Sequence, residues 1–144
     1  MPDKSIIKGD FFSDHRGGLR FFNQLNMQEI VRFYEISPAD TEQIRGWQAH
    51  QKEKKWFYCL QGSFIINTIK IDNFEKPSNQ LSPSKYVLND SNPFVLYVAE
   101  GHATALKATS EKSRLQVFSN YVLEQSKNDD FRFPFDKWSA DWKI

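Results

Sequence analysis

Apolar and polar residues alternate along this chain in short runs, and turn-forming residues separate the runs. Val31-Arg32-Phe33-Tyr34-Glu35-Ile36 predicts a strand, stopped by Ser37-Pro38-Ala39-Asp40. Upstream, Ile6–Phe12 and Leu19–Phe22 predict two short strands around a Ser13–Gly18 turn, and Asn26–Glu29 a single helical turn. Ile44–Trp47 opens another strand that runs into the polar segment Gln48–Lys55. Trp56–Leu60 and Phe64–Ile71, flanking Gln61-Gly62-Ser63, predict a hairpin. Asn73–Ser84 reads as a loop. Lys85–Leu88, Phe94–Val98 and Ala103–Ala108 are further strands set off by Asn89–Pro93 and Glu100-Gly101-His102. Leu115–Leu123 predicts the last strong strand, with Leu115, Val117, Ser119, Tyr121 and Leu123 on one face. The remainder, Ser126–Ile144, alternates polar and aromatic residues and predicts a short, partly helical tail. No long helical period and no internal repeat occurs. Regular short strands with turns between them predict an all-β sandwich or barrel.

Composition narrows this reading without redirecting it. The 144 residues fit a single domain spanning 1–144, large enough to bury about 68–70% of its unfolded surface. A net charge of +1 gives no global reason to expect nucleic acid or an anionic membrane as partner. No window approaches the ~20 apolar residues of a membrane-spanning helix. The N-terminal Met-Pro-Asp-Lys-Ser lacks the pattern of a signal peptide, so a cytoplasmic location is expected. Thirteen Phe, five Tyr and four Trp favour strands around a cavity with ring-lined walls. Cys59, the only cysteine, lies among large apolar neighbours and predicts a core thiol, not a nucleophile.

Candidate chemistry concentrates between Arg45 and Gly62, where Arg-Gly, Gln-x-His, a run of lysines and an aromatic strand follow one another. Phe12-Ser13-Asp14-His15-Arg16-Gly17, Arg45-Gly46-Trp47-Gln48-Ala49-His50, Val98–Ala103, Asn120-Tyr121 and Phe131–Trp138 resemble segments of the dTDP-4-dehydrorhamnose 3,5-epimerases. Arg32-Phe33-Tyr34, the Arg45–His50 motif and Cys59-Leu60-Gln61-Gly62-Ser63 equally resemble the dTDP-4-keto-6-deoxyhexose 3,4-ketoisomerases. The resemblance implies a cupin jelly roll acting on a nucleotide-linked keto sugar, without cofactor. It also implies a homodimer in which the N-terminal segment helps complete the neighbour's site.

Proton transfer beside a keto group needs a base for the α-carbon, a cation or donor for the enolate oxygen, and an acid. Both families place a histidine base where this chain has Gln48, and a neutral amide cannot take that proton. His50 shares the inward face of an extended strand with position 48, so it is either a replacement base or a histidine hydrogen-bonded within the barrel. By the resemblance Lys55 and Tyr121 take the catalytic cation and acid roles; the bland alternatives are a solvated lysine and a packed strand tyrosine. Arg45, Arg16 and Arg20 are candidates for diphosphate or a keto oxygen, against surface ion pairs. Phe21 and Trp47 are candidates to stack on a base or sugar, against core packing; Gln48 remains a candidate substrate contact. The resemblance also predicts no metal. Of the four ligand positions usual in metal-binding cupins only His50 survives, and an ammonium, Lys55, stands where a carboxylate is needed. A divergent cupin that binds a sugar nucleotide without turning it over is the alternative reading of Gln48.

Overall fold

The computed structural model describes residues 3–144. Twelve strands are β1 (Ile6–Lys8), β2 (Asp10–Asp14), β3 (Gly17–Phe21), β4 (Arg32–Ile36), β5 (Arg45–His50), β6 (Lys55–Gln61), β7 (Ser63–Lys70), β8 (Ser84–Asn89), β9 (Phe94–Val98), β10 (His102–Ala108), β11 (Arg114–Ser119) and β12 (Phe131–Arg132). One short helix, α1 (Leu123–Lys127), precedes β12. Two five-stranded antiparallel sheets face each other, β1-β9-β6-β11-β4 and β12-β5-β10-β7-β8, and β2 pairs with β3 in a separate hairpin. This is the expected all-β jelly roll.

Three expectations are corrected. Trp56–Ile71 is not a hairpin: β6 and β7 belong to different sheets. The chain turns from one to the other at Gly62, whose φ of +79° and crowding against Ser113 admit no side chain. The strand predicted to reach Leu123 ends at Ser119. Tyr121 lies in a bend, and the Gln125 Oε1 accepts from the Val122 amide as α1 begins. Asn26–Glu29 forms turns, not a helix.

Alternation along the strands sorts residues onto two faces. Phe57, Leu96, Leu115 and Val117 of the first sheet meet Phe64, Ile66, Leu88 and Leu106 of the second between the sheets. A second cluster, on the outer face of the second sheet, packs Trp47, Ala49, Ile69, Ala103 and Ala105 under Trp138 and the Phe74–Leu81 loop. Strand β5 therefore buries Trp47 and Ala49 outward and turns Gln48 and His50 inward. Its start is pressed against β10: Gly46 has φ +148°, and a Cβ there would lie 2.6 Å from the Ala105 Cα. Trp47 is the extra residue of a bulge, since Gln48 faces Thr104 while Gly46 faces Ala105.

Candidate active site

A cavity of about 770 Å³ opens between β4, the edge of the first sheet, and β5 with its short edge strand β12 in the second. Tyr34, Lys55, Gln48 and Thr104 are polar walls, Phe57 and Leu106 are apolar ones, and Arg45 and Arg132 add guanidinium groups. Pairing explains the polarity. Across the first sheet Arg32, Ser119 and Lys55 stand side by side, and across the second Gln48, Thr104 and Thr68 do. One polar row on each sheet thus faces the other, directly beside the apolar core.

Lys55 is 6% exposed, and its Nζ donates to the Tyr34 hydroxyl at 3.1 Å. Alternation alone assigns Tyr34 to packing and gives it no site role; only the pairing of β4 with β11 and of β11 with β6 carries it to Lys55. His50, 5% exposed, lies behind the cavity wall. Its Nδ1 is 2.6 Å from the Asp129 carbonyl oxygen, which can only accept, so Nδ1 carries the hydrogen in the neutral ring. Nε2 then holds the free lone pair, and it is buried without a partner. Burial first, and the Lys55 charge second, push the His50 pKa below its ordinary value, while the Asp129 carbonyl and Glu53 oppose them. His50 is consequently a neutral imidazole with its basic nitrogen unoccupied.

A buried network holds this ring. Glu53 accepts from Arg32 at 3.2 Å, from Ser126 at 2.7 Å and from Ser119, and lies 3.4 Å from His50 Nδ1. The Asp129 carboxylate accepts the backbone amides of Gln51, Lys52 and Glu53 at 2.8–2.9 Å, fixing the turn after His50. Gln48 donates to Asp130, which also accepts from Arg132. Burial raises the Asp130 carboxyl, but those hydrogen bonds outweigh it and hold the group below the usual range. Glu53, Asp129 and Asp130 carry little local signal in the sequence, because the contacts that tie Glu53 to Ser119 and Ser126, Asp129 to the Gln51–Glu53 turn and Asp130 to Gln48 span 66–82 residues.

The other candidates separate. Arg45 lines the cavity. Tyr121 does not; its backbone carbonyl accepts from Arg32. Trp47 is among the residues that line the cavity, but its side chain is fully buried, edge-on to Trp138 at 5.3 Å, with Nε1 donating to the Phe135 carbonyl, so the ring packs in the core. Arg16, Arg20 and Phe21 sit on the β2–β3 arm, away from this chain's own cavity. Arg16 pairs with Asp14 at 2.7 Å, and Arg20 reaches the Tyr58 hydroxyl on the outer face of the first sheet at 3.5 Å. The Cys59 thiol is buried and pushed up to about 12, chiefly by burial, in keeping with a core role. Among the described residues no three His, Cys, Asp or Glu side chains converge as metal ligands would, and no helix is long and apolar enough to cross a membrane.

No curated protein matches the chain in sequence. Solved structures match it in fold. The sugar 3,4-ketoisomerase QdtA from Thermoanaerobacterium thermosaccharolyticum, in complex with TDP, is 23% identical with a TM-score of 0.67 over 91% of this chain and 88% of its own. A 3,4-ketoisomerase from Helicobacter canadensis gives 22% and 0.68, covering 92% and 91%. The dTDP-4-dehydrorhamnose 3,5-epimerase from Elizabethkingia anophelis gives 20% and 0.75, covering 96% and 80%. At such identities the likeness establishes a shared fold. The family model "FdtA: WxcM-like, C-terminal" matches residues 2–134, and with the jelly roll and its polar cavity already evident, the chain belongs to that family.

Proposed function

We propose that the protein is an isomerase or epimerase of a nucleotide-linked 4-keto-6-deoxy sugar, moving a proton next to the keto group. The observation that carries this reading is Lys55: a buried ammonium bonded to a tyrosine hydroxyl on the cavity wall, beside a neutral histidine with a free Nε2. His50 Nε2 takes the proton from the α-carbon, and the C–H electron pair passes to the carbonyl, giving an enolate. Lys55 stabilises the enolate oxygen. For isomerisation, Tyr34 gives its hydroxyl proton to the former keto oxygen and regains one from the neighbouring hydroxyl, while the imidazolium delivers its proton to the former keto carbon. For epimerisation, Tyr34 protonates the α-carbon from the face opposite His50, the imidazolium passes its proton to solvent, and solvent restores the Tyr34 proton. His50 is 5% exposed and does not line the cavity, so this chemistry requires its cover to open when the sugar binds. Arg45 and Arg132 take the diphosphate. Support for the substrate class comes from the fold relatives, one of which is a QdtA variant in complex with TDP-4-keto-6-deoxyglucose.

The arm gives a reason to propose a homodimer. Phe11, Phe12 and Leu19 on β2 and β3 are more than half exposed, as is Phe33 on the outer face of the first sheet. In a dimer these surfaces cover each other and bring Arg16, Arg20 and Phe21 to the partner's cavity. A lone free thiol agrees with a cytoplasmic protein. Incubation with TDP-4-keto-6-deoxyglucose, followed by proton NMR of the products, tests the function. A 3-keto isomer or an epimer at C3 or C5 is expected. Binding without product would instead make the protein the sugar-nucleotide binding module that Gln48 suggests.

A further inference from the structure

A second cavity, of about 480 Å³, opens at the opposite edge of the sandwich, between β1–β9 and β7–β8. It is the far end of the same polar rows: Thr68 follows Thr104 across β7, and Ser84 follows Thr68 across β8. The charged side chains that line it, Lys4 and Lys70, are both basic, and among the described residues no carboxylate does. The nearby Asp3 carboxylate is engaged by the Ser5 amide and the Tyr86 hydroxyl. His102 Nδ1 lies 3.1 Å from the carbonyls of Ala99 and Glu100, so Nδ1 carries the hydrogen and Nε2 is the nitrogen available to a ligand. Thr68 lines the cavity, and its hydroxyl, which makes no hydrogen bond among the described residues, is accessible from it. Accessible hydroxyls beneath a rim that carries two ammonium groups and, among the described residues, no carboxylate suit a ligand that is both hydroxylated and anionic.

We propose that this rear cavity binds a phosphorylated monosaccharide. Lys4 and Lys70 hold the phosphate as point charges, and the Thr68 and Ser84 hydroxyls and His102 Nε2 meet the sugar hydroxyls. The volume lies in the range of small-ligand sites and exceeds what a bare phosphate fills. This site is independent of the chemistry assigned to the front cavity and stands or falls separately.

Titration of the full chain by amide NMR, with glucose 1-phosphate, inorganic phosphate and glucose in separate arms, tests the proposal. Glucose 1-phosphate is expected to give saturable shifts at Lys4, Thr68, Lys70, Ser84 and His102, and to bind more tightly than either fragment. The double variant Lys4→Gln/Lys70→Gln, both positions being on the rim, is expected to weaken it about tenfold or more. Thr68→Val tests the hydroxyl contact and is expected to weaken the sugar phosphate but not inorganic phosphate. Shifts that do not saturate, shifts centred on Arg45 and Lys55, equal binding of inorganic phosphate, or an unchanged affinity in the double variant would each overturn it.

Discussion

Between the two sheets lie two layers that the same strands build from alternate residues. On β6, Phe57 enters the apolar layer and Lys55 the polar one; on β10, Leu106 and Thr104 divide in the same way; on β11, Val117 and Ser119 do. Phe57, Leu96, Ile66, Leu106 and Val117 satisfy one another by contact alone. Lys55, His50, Glu53 and Arg32 are held by directed hydrogen bonds, and one atom, His50 Nε2, is left unmatched. Burying such groups in place of hydrocarbon generally does not raise stability. A polar layer two residues from a well-packed apolar one therefore reads as a reactive surface on a stable support.

Substitutions in the two layers should separate along that line. Leu115→Ala is expected to lower unfolding stability by about 2–5 kcal/mol, because it opens a cavity among fully enclosed side chains that do not line the site. Urea denaturation measures this, and the folded fraction should keep its kcat within a few-fold. Lys55→Met is expected to do the reverse. It removes the enolate's cation and lowers kcat about 10²–10³-fold, equivalent to some 2.7–4 kcal/mol of transition-state stabilisation. The melting temperature should stay level or rise, since a buried ammonium gives way to a hydrocarbon of similar length. Equal damage to stability from both variants would erase the distinction between the layers.

A smaller effect distinguishes the layers by pH. The folded protein holds His50 neutral below its ordinary value of 6.5, whereas the unfolded chain protonates it there. The unfolded state then binds more protons, so stability is complete above 6.5 and declines as pH falls towards the depressed folded value, by at most about 1.4 kcal/mol per unit. Carboxylates held low, such as Asp14, Glu35 and Asp130, act in a lower window, below their ordinary values of 3.8 to 4.5. His50→Asn should flatten the stability profile between 6.5 and 4.5 and leave the acid limb in place.

Much of the apolar layer was legible in the sequence, because period-two alternation announces a half-buried strand and needs only neighbouring residues. Phe94–Val98 was located to the residue, and β4, β8 and β10 to within one. Sheet membership was not legible. The Trp56–Ile71 segment has every local mark of a hairpin, but Gly62 sends its halves into opposite sheets. The alternation of Leu115–Val117–Ser119 continues on paper through Tyr121 to Leu123, while the chain itself turns into α1. Within the site, position 50 shared its strand face with position 48 and could be found. Tyr34, Glu53 and Asp129 could not, since each matters through a partner brought to it by strand register or a distant loop. Trp47 misled because a large ring beside Gly46 suits stacking on a ligand, and the tail that covers it with Trp138 lies far along the chain.

The central claim, that His50 draws the proton within the polar layer, is tested most directly by solvent exchange at the sugar. The wild-type protein and His50→Asn would be incubated with TDP-4-keto-6-deoxyglucose in deuterated water, and the carbons flanking the keto group followed by NMR. Deuterium entering a flanking carbon with the wild-type protein, and not with His50→Asn, is the predicted result. Exchange that proceeds equally in the variant, or no exchange in the wild type, would contradict it.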